Sequence, residues 1–162
     1  MRARIWVYTQ RKGLLARAGH DLKLYTDTVT VRRDGPRLHA EVDASSLMVV
    51  CAMKGDKPDK RRLSERDRGD IHRNLHHAIL DVSHHPTITF DGQADSAGLS
   101  GALSIRGQQR PVSLPWTEQG EHWVAEGAID HRDFGIPLFK ALMGTLQVDP
   151  RLRIQVRLPP QL

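Results

Sequence analysis

Apolar and polar residues alternate along most of the chain, which predicts a protein built mainly from β-strands. In "GALSIRGQQRPVSLPW", residues 101–116, apolar side chains occupy every second position on both sides of a glycine turn. Successive side chains in a strand point to opposite faces, so this pattern predicts an antiparallel hairpin with one apolar face. A four-residue loop at 106–109 would place Leu103 opposite Val112 and Leu99 opposite Trp116.

The same alternation recurs along the chain with turn signals between the runs, which is typical of a sandwich or a barrel. In the long second run, the parity of the apolar positions changes between Leu24 and Val29, so we expect a bulge near residues 26–28 that bends one strand. No repeat or linker divides the chain, and we expect a single domain over residues 1–162. The predicted strands are residues 3–9, 21–33, 37–43, 87–92, 99–105, 109–116, 122–130 and 151–158.

One segment, "SERDRGDIHRNLHHAIL" at residues 64–80, predicts the main α-helix. Ser64 and Asp67 have the spacing of a capping box, and Ile71, Leu75 and Ile79 form an apolar stripe. Two further stretches, "RKGLLARAGH" at 11–20 and "FGIPLFKALMG" at 134–144, predict short helical connections. The expected fold class is therefore all-β with one main α-helix.

Cysteine content and hydropathy bear on the compartment in which the chain works. The lone Cys51 cannot form an internal disulfide, and the apolar run at residues 5–8 is too short for a signal peptide. The longest uncharged stretch, "ASSLMVVCAM" at 44–53, is too short to cross a bilayer, so we expect no transmembrane segment. These features predict a cytoplasmic protein and leave a homodimer open.

The formal net charge of +5 makes a polyanionic partner conceivable. Binding of single-stranded nucleic acid usually combines a basic groove with stacking aromatic residues, and no run here interleaves Arg with Phe, Trp or Tyr. Nucleic acid is therefore an unfavoured partner. A basic module that binds nucleic acid or an anionic membrane stays an alternative, with these candidate residues: Arg2, Arg4, Arg151, Arg153 and Arg157.

Nine histidines invite a search for metal and catalytic sites. His72 and His76 have the i, i+4 spacing of two metal ligands, but Arg73 stands where a zinc protease needs its catalytic Glu. We predict neither a metal nor another cofactor. His20, Asp21 and His131 lie near predicted strand ends, so an enzyme of unknown reaction that uses them as acid and base is a second alternative.

Several segments together resemble the YceI-like, polyisoprenoid-binding family. They are "VDASSLMV", "ILDVSHHPTITF", "LSIRGQQRPVSL", "HRDFGI" and "LRIQVRLP", in the order of the family. The resemblance implies a single eight-stranded antiparallel barrel of lipocalin-like shape, with a helix packed at one side. It also implies that the interior can hold an isoprenoid chain, so the leading hypothesis is a soluble, non-enzymatic protein that binds an apolar or isoprenoid small molecule.

An eight-stranded barrel can be filled by its own side chains or can hold one small ligand. Small residues at inward or neighbouring positions favour a hollow interior, namely Ala40, Gly101, Ala125, Gly127 and Ala128. The predicted apolar walls of the ligand site are Leu22, Leu24, Phe90, Leu103, Val112, Trp123, Ile129, Phe134, Leu138, Leu142 and Ile154. The predicted polar contacts are His20, Asp21, Arg106 and His131.

Overall fold

The computed structural model of the chain describes residues 3–12, 20–137, 140–141 and 146–160. Within these residues, strands dominate, and one α-helix, α1 (Glu65–Arg73), continues into a π-helical segment, Asn74–Ile79. Short 3₁₀ turns lie at Ala44–Ser46 and His131–Phe134. The strands are β1 (Arg4–Thr9), β2 (Arg11–Lys12), β3 (Asp21–Thr26), β4 (Val29–Asp34), β5 (Arg37–Asp43), β6 (Met48–Lys54), β7 (Lys57–Asp59), β8 (Thr87–Ala94), β9 (Gly98–Ile105), β10 (Gln108–Gln119), β11 (His122–Asp130), β12 (Lys140–Ala141), β13 (Leu146–Val148) and β14 (Arg151–Leu158).

The main sheet is antiparallel and curls into a half-barrel. Its strand order is β4-β5-β8-β9-β10-β11-β14-β1-β3-β6-β7. The chain passes from β3 to β4 through only Asp27 and Thr28, although β3 is ninth in this order and β4 is first. A two-residue link can join these strands only if the sheet curls until its two ends come close together.

The sheet has eleven strands, so the predicted number of eight is wrong. One extra strand arises because the predicted strand at 21–33 is interrupted at residues 27–28 rather than bulged. The other two are β6 and β7, which are not among the predicted strands. The apolar residues of β6 do not alternate with polar ones, since Met48 and Val50 on its exposed face are apolar as well.

The β9–β10 hairpin turns through two residues, not the four that were predicted. Arg106 and Gly107 both have positive φ angles, +52° and +72°, as the two central residues of a type I′ turn require. Leu99 consequently lies opposite Leu114, and Val112 lies opposite Gly101. The predicted register is wrong by two residues, but a shift of two keeps every side chain on its face. The hairpin therefore has the apolar face that the sequence predicts.

The helix begins as the sequence predicts. The Ser64 hydroxyl accepts a hydrogen bond from the Asp67 N–H at 3.1 Å, and the Asp67 carboxylate accepts one from the Ser64 N–H at 2.8 Å. This reciprocal pair is the capping box. No helix in the described part of the chain is long and apolar enough to span a lipid bilayer.

A separate small sheet has the order β12-β13-β2. Two of its strands fall in the stretches that were predicted as helical connections, so Arg11–Lys12 and Lys140–Ala141 correct those predictions. Hydrogen-bonded pairing with β13 explains why these residues are extended. Leu138 and Leu142 lie outside the described residues.

Among the described residues, the apolar core forms two clusters. The helix-side cluster includes Leu24, Leu75, Ile129 and Phe134. The far cluster includes Leu38, Leu99, Leu114, Ala125 and Leu158.

Candidate ligand-binding cavity

A cavity of about 300 Å³ borders both core clusters and is almost entirely apolar. Inward-facing side chains of the curled sheet form most of its wall, because alternate positions of each strand point to the same face. The wall residues from the sheet include Ile5, Val7, Leu22, Leu24, Val29, Val31, Leu38, Ala40, Val42, Ile88, Phe90, Leu99, Leu103, Ile105, Val112, Leu114, Ile129, Leu152, Ile154, Val156 and Leu158.

The helical segment closes one side of the cavity with Ile71, Asn74, Leu75 and Ile79. Three of these, Ile71, Leu75 and Ile79, belong to the apolar stripe that the sequence predicts. Their spacing of four residues places them on one face of the helix, which is turned toward the half-barrel.

Side chains of the helical segment hold it against the edge of β6. His72 Nε2 accepts a hydrogen bond from the Val49 N–H at 3.0 Å, and His76 Nε2 donates one to the Leu47 carbonyl at 3.0 Å. Arg68 donates to the Val50 carbonyl at 3.0 Å. The next strand, β7, pairs only with residues 52–54 of β6, so these side chains satisfy backbone groups that β7 does not reach.

The two helix histidines are stacked, with ring centroids 5.9 Å apart and ring planes 7° from parallel. Burial lowers the pKa of His72 below its usual value of 6.5, and the nearby His76 and Arg68 lower it further. The Nε2 atoms of both rings are used in hydrogen bonds to the backbone. No group of His, Cys, Asp or Glu side chains in the described ranges could hold a metal ion.

Five of the described lining residues carry polar side chains: Thr9, Thr26, Asn74, Thr89 and His131. The Thr9 hydroxyl accepts a hydrogen bond from the Leu22 N–H at 3.3 Å, and the Thr26 hydroxyl lies 2.6 Å from that of Ser46. His131 donates from Nδ1 to the Ile136 carbonyl at 3.1 Å. No Asp, Glu, Lys or Arg is among the described lining residues.

Most of the predicted wall residues line the cavity. Trp123 does not, because it packs against Trp116 in the far cluster, with ring centroids 5.1 Å apart. Phe134 is only 2 % exposed and packs inside the helix-side cluster without bordering the cavity. The predicted site residues that line the cavity are Leu22, Leu24, Phe90, Leu103, Val112, Ile129, Ile154 and His131.

The structure does not gather the predicted polar residues into one site. Asp21 accepts a hydrogen bond from the Arg11 N–H at 2.8 Å and borders a different, outer pocket. Arg106 donates to the Ile79 carbonyl at 3.0 Å, so it ties the hairpin to the end of the helical segment. His20 borders neither pocket, whereas His131 is buried and faces the interior. This separation gives no support to joint acid–base catalysis by His20, Asp21 and His131.

Of the small residues expected to leave space, only Ala40 lines the cavity. A Cβ atom on Gly127 would lie 2.5 Å from Leu114 Cδ2, so the Leu114 side chain already fills that space. A Cβ atom on Gly101 would lie 2.5 Å from the Gly92 Cα on the neighbouring strand. These glycines permit close packing, and the free volume lies elsewhere.

Several lining residues were not predicted, although the sequence carries the signal for most of them. Val7, Leu38 and Val156 have the same inward parity as neighbours that were chosen. The contribution of Asn74 had no such signal, because a polar residue beside an apolar helix stripe is usually solvated.

An apolar cavity inside a curled antiparallel sheet defines a class of small-molecule binding proteins. Residues 10–159 match the model of the YceI-like domain, and the chain belongs to this family. No curated protein matches the chain.

Two solved structures show the same fold. The structure of a polyisoprenoid binding domain from Saccharophagus degradans, implicated in plant cell wall breakdown, is similar with a TM-score of 0.62 and 7% sequence identity. The match covers 96% of this chain and 91% of that one. Burkholderia cenocepacia BcnA is similar with a TM-score of 0.59 and 11% identity, over 96% of this chain and 94% of that one.

Proposed function

We propose that this protein is a non-enzymatic binding protein that holds a lipid-like or isoprenoid molecule in the cavity. The proposal rests on the apolar cavity of about 300 Å³, which has no charged lining residue in the described part of the chain. This volume lies at the lower end of the range of about 300–1,000 Å³ that is usual for ligand pockets. The polyisoprenoid binding named for the Saccharophagus degradans domain supports the choice of ligand class.

Burial of an apolar chain supplies enough free energy for useful affinity. Each buried methylene contributes about 0.8 kcal/mol, so ten of them contribute roughly 8 kcal/mol before the cost of association. A hydrogen bond contributes only about 1 kcal/mol net. The apolar wall therefore sets affinity, and the few polar groups select among ligands of similar size.

The proposal is tested by extracting freshly purified protein with organic solvent and analysing the extract by mass spectrometry. We expect an apolar molecule in amounts comparable to the protein, or uptake of added farnesol by protein that was purified empty. Protein that carries nothing and takes up neither farnesol nor a fatty acid would contradict the proposal.

A second candidate function, docking on an anionic membrane, is favoured by an aromatic and basic surface on the outer face of β1, β3 and β14. Trp6 and Tyr25 pack with ring centroids 5.4 Å apart, and Lys23 lies over Trp6. Arg153 lies 4.1 Å from the centroid of Tyr8. Tyrosine and tryptophan rings suit the level of lipid headgroups, and cationic side chains attract anionic lipids.

Vesicle co-sedimentation tests this candidate. The double variant Lys23→Ser with Arg153→Ser should bind phosphatidylglycerol vesicles more weakly than the matched double variant Lys57→Ser with Arg62→Ser. Binding should fall as salt is added, because exposed charges are screened. Equal binding to phosphatidylglycerol and phosphatidylcholine vesicles would contradict it.

The cytoplasmic location and the homodimer stay predictions, to be checked by cell fractionation and by light scattering.

A further inference from the structure

We infer that the ligand carries a neutral hydrogen-bond donor, such as a hydroxyl group at the end of an apolar chain, and that His131 Nε2 accepts its hydrogen bond. This inference rests on the proposed function and specifies the chemical class of the ligand at that same site. It follows from the orientation of His131 and from the absence of charge among the described lining residues.

His131 is held in one orientation by the backbone. His131 is the first residue after β11 and is 6 % exposed. Its Nδ1 atom lies 3.1 Å from the Ile136 carbonyl oxygen. A carbonyl oxygen can only accept, so Nδ1 carries a proton. In the neutral ring, Nε2 is then an acceptor with a free lone pair.

No described residue donates a hydrogen bond to this Nε2 atom. Two buried side-chain nitrogens in the described chain are sealed off without a partner, Trp116 Nε1 and Arg157 Nε. His131 Nε2 is not among these sealed atoms, and His131 is one of the residues that line the cavity. An acceptor that faces an apolar cavity favours a ligand that can supply a donor, because an unpaired buried polar group costs free energy.

The charge of the lining argues against an ionised headgroup beside His131. A carboxylate or a phosphate moved into an apolar site needs a cationic partner. No Lys or Arg is among the described lining residues, so a neutral hydroxyl suits the site better than either anion.

The experiment compares dodecanol, dodecanoic acid and dodecane as ligands at pH 8, where an ordinary histidine is neutral. We expect dodecanol to bind about fivefold more tightly than dodecane, the difference that one hydrogen bond supplies. Dodecanoic acid, which is ionised at this pH, should bind more weakly than dodecanol. His131→Phe should remove the preference for dodecanol over dodecane.

A measurement on the unaltered protein covers the case in which His131→Phe fails to fold. The ¹⁵N resonance of His131 Nε2 should move when dodecanol binds and should stay in place when dodecane binds. If dodecane binds as tightly as dodecanol and the resonance does not move, the hydroxyl inference is overturned while the binding function stands. If none of the three probes binds, the proposed function itself fails.

Discussion

The backbone N–H of Val49 donates a hydrogen bond to Nε2 of His72 at 3.0 Å. A helix side chain therefore satisfies a backbone group at the part of β6 that does not pair with β7. This hydrogen bond needs an unprotonated Nε2 atom. Together with the His76 contact to Leu47, it holds in place the helical segment that forms one wall of the cavity.

Acidification should loosen this attachment. The folded-state pKa of His72 lies below its usual value of 6.5, so the unfolded chain takes up a proton first as the pH falls. The stabilisation from His72 is complete above pH 6.5 and is lost as the pH falls through the folded-state pKa. Hydrogen exchange should show the protection factor of the Val49 amide falling in that interval, with a smaller change at Cys51. His72→Gln, which cannot titrate, should weaken this pH dependence, and an unchanged profile would argue against the mechanism.

Filling the cavity should block binding without harming the fold. Ala40 lines the cavity, so Ala40→Phe should weaken farnesol binding at least about tenfold, since the ring takes the volume of several methylenes. Ala128 is exposed and borders only the outer pocket, which makes Ala128→Phe the matched control. Calorimetric titration of both variants provides the check, and thermal melting shows whether each is folded. Full affinity in a folded Ala40→Phe protein would place the ligand outside the cavity.

Asp130 should contribute stability that disappears only in strong acid. The Arg132 guanidinium beside Asp130 lowers the pKa of this carboxyl from 3.8 to about 2. The contribution is therefore present above pH 3.8 and is lost as the pH falls toward 2. Asp130→Asn should lower the free energy of unfolding at neutral pH by up to about 1 kcal/mol, the usual limit for an exposed ion pair. Urea titrations at several pH values should show this difference shrinking below pH 3.8.

Removing the helix cap should destabilise the wall of the cavity. Ser64→Ala deletes the hydroxyl that accepts from the Asp67 N–H and should cost about 1 kcal/mol of stability. Ser83→Ala, at an exposed turn where the hydroxyl makes only local contacts, is the control. Chemical denaturation compares the two variants. Equal stability of both would show that the cap contributes nothing to the fold.

Local patterns were enough to predict most of the strands. Residues 37–43 and 151–158 alternate clearly, and each forms a strand at the predicted positions. The capping box of Ser64 and Asp67 likewise predicted where α1 begins. β6 was not predicted because its exposed residues Met48 and Val50 are apolar, so apolar and polar residues do not alternate along this strand.

The lining of the cavity was harder to predict, because alternation gives the face of a residue and not its position along the barrel. Trp123 lies on an inward face, but it packs in the far cluster against Trp116 and not beside the cavity. His131 was expected at a polar rim. Its Nδ1 contact with Ile136 turns it inward, and this contact depends on a backbone turn that no sequence period reveals.

Ligand binding in the cavity is tested most directly by a crystal structure of the protein after incubation with farnesol. We expect continuous elongated density in the space that borders both core clusters, with the hydroxyl end within hydrogen-bonding distance of His131 Nε2. A cavity filled by the protein's own side chains, with farnesol absent or bound on the outer surface, would contradict it.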